Sequence, residues 1–193
     1  MLYYLYRFPP KSQKSTLEKE RETSMDLKFF TAQMNLHAGA IHSLTLGISA
    51  EQARWKPDPQ AWSILEVINH LYDEERLDFR TRVDILLHHP GQPWPPINPQ
   101  GWVTERSYNQ RDLVQSVDDF LKERQKSLVW LKGLEDPDWQ SSGKVSFGQF
   151  FAGDIFAAWV AHDLLHLRQL VELHWAYLLQ AAEPYKVNYA GEW

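Results

Sequence analysis

The feature that most constrains this fold is a long stretch of helical periodicity between residues 155 and 173. Interior-type side chains recur there at alternating spacings of four and three residues, and such spacings place side chains on one face of an α-helix. We predict one long helix that begins after Ser146, where Gln149 gives the spacing of a capping box, and continues to about Gln180. The face consists of Ile155, Trp159, His162, His166, Gln169 and Leu173.

Three more long helices are predicted, each bounded by a residue that starts or stops helices. Ser63 and Glu66 have the spacing of a capping box, and glycines at positions 47 and 133 suit helix ends. A short helical turn fits residues 49–55, where Ser49 and Gln52 repeat the capping spacing. The three long helices cover residues 26–46, 63–88 and 109–132.

The connection between the second and third long helices is rich in proline, with five in residues 89–102. It is predicted as a loop of about twenty residues, which is long for a helix connection and would allow the two helices to run parallel. No β-strand pair is predicted. We therefore expect an all-α fold, a four-helix bundle over residues 25–193 that follows a poorly ordered extension over residues 1–24. The aromatic tail from residue 183 is expected to pack against the bundle.

Composition excludes several classes of function. The chain has no cysteine, which removes disulfides, thiolate ligands and a cysteine nucleophile. A formal net charge of -5 argues against a nucleic-acid partner. No apolar run approaches the ~20 residues that a membrane span needs, and the apolar start lacks a cleavage site for a signal peptide. We expect a soluble cytoplasmic protein with no membrane partner.

Two histidines on the last helix are candidate metal ligands. His162 and His166 are four residues apart, so their β-carbons lie ~6 Å apart and two imidazoles can reach one ion. The pattern alone is weak, because the chain has eight histidines and interior histidines are commonly satisfied core residues. A third ligand would have to come from another helix. His70 suits that role, because it shares a face of the second helix with Val67 and Glu74.

Two segments carry a family resemblance. WKPDPQAWSILEVINHL (55–71) and AAWVAHDLLHLRQL (157–170) resemble the signatures of the DinB-like (DinB/YfiT) superfamily. The resemblance covers residues 26–193. It implies a four-helix bundle with a long crossover between helices 2 and 3. It also implies a divalent metal ion held by one histidine of helix 2 and two of helix 4, which correspond to His70, His162 and His166.

Three neutral imidazoles would leave such an ion with open coordination positions. Zinc is the first choice for this ligand set, and nickel, iron, cobalt or manganese remain possible by ligand type. A di-iron bundle is a poorer interpretation, since it needs two Glu-x-x-His motifs and only Asp163 with His166 approximates one.

Three residues near the expected metal are candidates for catalysis. Glu74 is a possible base, fourth ligand or hydrogen-bond acceptor, although a solvated acid in the run DEE is the favoured interpretation. Gln169 is placed to orient a water or a ligand ring. Arg124 either binds an anionic substrate group or is a rim arginine. Asp163 is expected to point away from the histidine face. Core positions are expected for Trp55, Trp62 and Trp159.

The resemblance implies an enzyme that uses a low-molecular-weight thiol. Some members of the superfamily are metal-dependent transferases or isomerases of this kind, so we expect an S-transferase acting on small electrophiles. A metal-dependent hydrolase and a non-catalytic metal or small-molecule binding protein are the alternatives. No glycine-rich phosphate loop is present, which disfavours phosphoryl transfer. Homodimerisation is also expected, from the resemblance and from the many aromatic residues.

Overall fold

The computed structural model describes residues 25–146 and 148–191, and over these the predicted four-helix bundle is confirmed. The predicted extension at residues 1–24 lies outside the described part. Two stretches of α-helix, Ile64–Glu74 and Arg80–His88, are joined through a π-helical turn into one continuous helix. The α-helices are α1 (Leu27–Thr45), α2 (Ala50–Arg54), α3 (Ile64–Glu74), α4 (Arg80–His88), α5 (Pro99–Glu105), α6 (Leu113–Lys132) and α7 (Ala152–Ala182); the strands are β1 (Ser142–Val145) and β2 (Gly148–Phe151); the π turn is Glu75–Phe79, and 3-10 turns lie at Tyr108–Gln110 and Asn188–Ala190.

Side-chain caps set the helix starts. At α3 the Ser63 hydroxyl accepts a hydrogen bond from the Glu66 amide, and the Glu66 carboxylate accepts one from the Ser63 amide, so the predicted capping box is confirmed. The start of α6 lies later than predicted. The Asp112 side chain accepts a hydrogen bond from the Gln115 amide and fixes the first turn there.

The prediction that no strands form is wrong at residues 142–151. β1 and β2 pair antiparallel, with Val145 opposite Gly148, and α7 therefore begins at Ala152 rather than just after Ser146. The hairpin packs closely on α4. The close approach is at Gly143, where an added β-carbon would lie 2.8 Å from a methyl carbon of Leu86. The capping spacing of Ser146 and Gln149 thus belongs to a hairpin.

The proline-rich connection is a loop only in its first part. Asn98 caps α5 by accepting a hydrogen bond from the Gly101 amide, and Pro99 occupies the first helical position, where its missing N–H costs nothing. α5 contacts α3. Trp102 anchors a small apolar cluster there, against which Trp62 packs. The crossover is thereby attached to the start of α3.

Over its described part, residues 183–191, the aromatic tail does not pack back on the bundle as predicted. The side chains of Tyr185 and Tyr189 are 82% and 105% exposed. The bundle core instead consists of two apolar clusters, which include Trp159 and Val160 in one and Leu170 in the other. His162 and His166 lie between these residues on α7, so the helix places them at a polar level between two apolar ones. None of the described helices has the length and hydropathy needed to span a bilayer.

Candidate metal centre

The structure brings the three predicted histidines together. The Nε2 atom of His162 lies 3.4 Å from Nε2 of His70 and 3.1 Å from Nε2 of His166. One ligand atom from each residue lies within 4.8 Å of the others. Zinc–nitrogen bonds of 2.0–2.1 Å in tetrahedral geometry separate two nitrogens by about 3.3 Å. The three side chains therefore fit one ion with little rearrangement.

The environment keeps the three imidazoles neutral. Burial lowers the pKa of His70 to about 2, with further lowering from His166 and His162. Burial and His166 lower the pKa of His162 to about 3, and burial also lowers that of His166. A neutral imidazole presents a lone pair, which is the form that binds a metal. The donor set thus has the protonation state that a metal site requires.

A hydrogen bond fixes the tautomer of one ligand. Oε1 of Gln169 lies 2.8 Å from Nδ1 of His166, so the Nδ1–H donates to the amide oxygen and leaves Nε2 free to bind. Of the two roles suggested for Gln169, this contact favours the orientation of a ligand ring over the orientation of a water. His70 differs, since its Nδ1 is buried and has no hydrogen-bond partner among the described residues.

Aromatic rings surround the histidines where hydrogen bonds do not. The Trp62 ring centroid lies 4.8 Å from that of His70, and its plane is within 2° of the His166 plane at 6.4 Å. Phe79 contacts His162 at 5.0 Å. Trp62 is half-buried beside the site, so its expected core position is wrong, whereas Trp159 lies in the core as expected.

Phe79 was not found from the sequence, and its spacing explains why. It lies nine residues after His70, which in a regular helix is about half a turn away from the same face. The π turn Glu75–Phe79 inserts an extra residue into the helix and rotates all later residues around the helix axis. No signal in the residues themselves indicates such a turn.

Glu74 is not the solvated acid that was favoured. It is 5% exposed, and its Oε1 atom has no hydrogen-bond partner among the described residues. Burial and the neighbouring Asp78 raise its pKa to about 8. It is not among the grouped ligand atoms, which are those of the three histidines over the described residues. Glu74 therefore does not complete the ligand set in this structure.

Arg124 has neither of the roles suggested for it, because it is buried at 2% exposure among ion pairs. Its Nε and Nη2 donate to Glu75 at 2.8 Å each, while Nη1 and Nη2 donate to Asp163 at 2.7 and 2.8 Å. Nη1 also donates to the Met34 carbonyl at 2.9 Å. All five N–H donors are thus occupied. Arg124 is a structural residue that joins α1, α6, α7 and the π turn.

Asp163 lies outside the ligand group but is buried rather than solvated. Burial by itself would raise the pKa of Asp163. The Arg124 guanidinium outweighs that effect and lowers the pKa below its ordinary value. The indole Nε1–H of Trp159 donates to Glu75 at 2.8 Å and completes this cluster. A buried ionic cluster therefore adjoins the histidine level of α7.

The bundle and the three-histidine group together define a helical protein with the donor set of a mononuclear metal site. A family model for the DinB superfamily matches residues 33–170, well over half of the chain, and the chain belongs to that superfamily. No protein with a curated description matches the sequence.

Among solved structures, the chain is similar to YfiT from Bacillus subtilis. The two share 13% sequence identity with a TM-score of 0.68, over 86% of this chain and 91% of that one. YfiT is described as a probable metal-dependent hydrolase with an unusual four-helix bundle topology. At this identity the likeness establishes a common fold.

Proposed function

We propose that this protein is a metal-dependent enzyme in which His70, His162 and His166 hold one divalent ion that activates a nucleophile. The proposed reaction is transfer of a low-molecular-weight thiol to a small electrophile. One observation carries the proposal. Three neutral imidazoles bring their Nε2 atoms together, and among the described residues no fourth protein ligand joins the group. A catalytic site needs an open coordination position, whereas a structural zinc site is usually closed by a fourth ligand.

A divalent ion in this site would act as a Lewis acid and lower the pKa of a coordinated thiol or water. The residues of the chain prepare that chemistry. Gln169 keeps His166 in the binding tautomer, and the rings of Trp62 and Phe79 contact the ligand imidazoles and exclude water around them. These half-buried rings also offer an apolar wall against which an uncharged electrophile could rest.

The thiol reaction suits this site because it needs no carboxylate base beside the ligands. The grouped ligand atoms come from histidines, and the buried Glu74 is outside the group. Hydrolysis is the second candidate. The description of YfiT as a probable metal-dependent hydrolase favours it, since the two proteins share a fold.

Zinc is the proposed native metal, with nickel the first alternative. Elemental analysis of protein purified without chelator should give about one ion per chain. Replacement of both His162 and His166 by alanine should remove that ion, and His88→Ala should not, because His88 is exposed and pairs with Asp84. Undiminished metal in the double variant would exclude this site.

The reaction class is tested with metal-loaded protein. Bacillithiol, mycothiol, glutathione and coenzyme A are each combined with epoxides and chlorodinitrobenzene, and ester and amide substrates are assayed in parallel. A thiol-dependent rate that chelator and His70→Ala both abolish would support the transferase. A metal-dependent rate on esters or amides alone would establish the hydrolase. A metal-loaded protein without either activity would contradict both and favour the binding-protein alternative.

A further inference from the structure

A cavity lies away from the histidines, between α4, the first part of the proline-rich connection and the hairpin. Its volume is about 710 Å³, and small-molecule sites occupy about 300–1,000 Å³. The connection lines it with residues 91–97, α4 with Arg82, Ile85 and Leu86, and the hairpin with residues 143–146. Three segments that are separate in the sequence therefore meet around a space large enough for a small molecule.

The cavity is too far from the metal centre to be part of it. Arg82 follows His70 by twelve residues along one continuous helix, which corresponds to about 18 Å at a rise of 1.5 Å per residue. The hairpin ends at Phe151, eleven residues before His162 on α7, which corresponds to about 16 Å. A small molecule held in this cavity would not reach the three histidines.

One wall of the cavity is apolar and carries an aromatic ring. Trp94 lies in a proline run, with Pro93 before it and Pro95 and Pro96 after it. Because proline fixes the backbone dihedral φ, the run restricts the positions that the indole can take. The indole also packs on Phe150 of the hairpin, with 5.6 Å between the ring centroids. Such a wall suits a ligand with a planar apolar group.

The charged side chains that line the cavity are cations. They are those of Arg82 and Lys144, and no carboxylate is among the described residues of the lining. The whole chain has the opposite balance, with a formal net charge of -5. A cleft that combines charge of one sign with apolar walls concentrates ligands of the other sign. The lining therefore favours an anion.

Arg82 is held in a position to receive that anion. Its guanidinium carbon lies 4.6 Å from the centroid of the Trp94 ring, in a cation–π contact, and its side chain is 16% exposed. Its Nε faces the carboxylate of Asp78 on the same helix, which leaves the terminal nitrogens Nη1 and Nη2 for another acceptor. A guanidinium can donate two parallel hydrogen bonds to one carboxylate. Lys144 is exposed and adds positive charge at the rim.

We propose that this cavity binds a small carboxylic acid with a flat apolar body, in its anionic form. Arg82 receives the carboxylate, and the indole of Trp94 packs against the apolar body. The site does not depend on the proposed function, because its lining residues are not among the grouped histidine ligands.

Isothermal titration calorimetry of the purified protein with 2-naphthoate tests this proposal. We expect saturable binding. 2-Naphthamide has the same ring without the charge, and acetate has the charge without the ring, so each should bind more weakly. Absence of binding by 2-naphthoate, or equal binding by 2-naphthamide, would overturn the proposal. Treatment with a chelator should leave the affinity for 2-naphthoate unchanged. A loss on chelation would place the carboxylate on the metal ion and would also overturn it.

Two substitutions locate the bound 2-naphthoate. Arg82→Lys keeps a positive charge beside Asp78 but removes the planar fork, so affinity should fall by about tenfold or more. Lys144→Glu places a negative charge at the exposed rim and should also weaken binding. Lys186→Glu is the matched control, because Lys186 is exposed and follows the other end of α7. Circular dichroism checks that each variant is folded. Affinity equal to that of the wild type in a folded Arg82→Lys or Lys144→Glu variant would overturn the proposal.

Discussion

The amide oxygen of Gln169 lies 2.8 Å from Nδ1 of His166, on the ring nitrogen that does not face the other ligands. This contact selects one of the two neutral tautomers of His166 and directs its lone pair at Nε2 toward the site. Gln169 is thus expected to contribute to metal affinity without touching the metal.

Gln169→Leu should lower metal affinity by about 10–100-fold, the usual effect of removing such a partner. Competition against a chromophoric chelator measures it. Gln180→Leu on the same helix is the control, because Gln180 is exposed and far from the histidines in sequence. Equal affinities in the two variants would show that Gln169 does not orient His166.

Trp62→Leu should alter the ligand field of the bound ion. The His70 ring lacks a hydrogen-bond acceptor at Nδ1 among the described residues and is instead held against Trp62. Visible absorption of the cobalt-substituted protein would report the change in ligand geometry. Trp55→Leu is a matched control, since Trp55 packs on Tyr177. A cobalt spectrum identical to that of the wild type would contradict an orienting role for Trp62.

Glu74→Gln should change how stability depends on pH. The pKa of Glu74 in the folded protein is about 8, above its ordinary value of 4.5. The folded state therefore holds this proton more tightly than the unfolded state, and stability is lost as pH rises from 4.5 through 8. Urea unfolding at a series of pH values should show a smaller loss in Glu74→Gln. Parallel curves for the two proteins across this range would refute the shift.

Arg124→Met should destabilise the protein by about 3–5 kcal/mol, because it leaves Glu75 and Asp163 buried without a counter-charge. Lys122→Met is the comparison and should change the free energy of unfolding far less, since its pair with Asp118 is exposed. Urea unfolding measures both. A loss as small as that of Lys122→Met would mean that the ionic cluster is energetically neutral.

Local signals in the sequence predict much of this structure. The capping box of Ser63 and Glu66 is visible from spacing alone because both partners lie within one turn. The placement of His162 and His166 on one face of the helix follows from the helical period in the same way. The meeting of these residues with His70 was expected from the family resemblance, since a helical pattern shows which side is buried but not which helix it meets.

Interactions between distant segments could not be predicted, because a local pattern does not show which other segment a residue will meet. Arg124 meets Glu75 and Asp163 from positions 49 and 39 residues away, and nothing local marks the three as partners. Glu74 was expected to be solvated because neighbouring acids resemble a surface run. The hairpin near Gly148 was missed because its two strands are four residues each and lie beside a capping pattern.

The π turn at Glu75–Phe79 has a consequence for how this chain can vary through evolution. Loss of one residue there would restore a regular helix and leave the side chains on both sides of the turn in place, because a π turn holds one residue more than a regular helix needs for the same rotation. If the helix became regular without that loss, everything beyond the turn would rotate by about 100° around the helix axis, which would take Phe79 away from His162 and turn α4 out of register with the hairpin. Selection at this point therefore acts on the number of residues as well as on their identity. Relatives that lack one residue in this turn should still carry the same residue types at the positions aligned with 79 and 86.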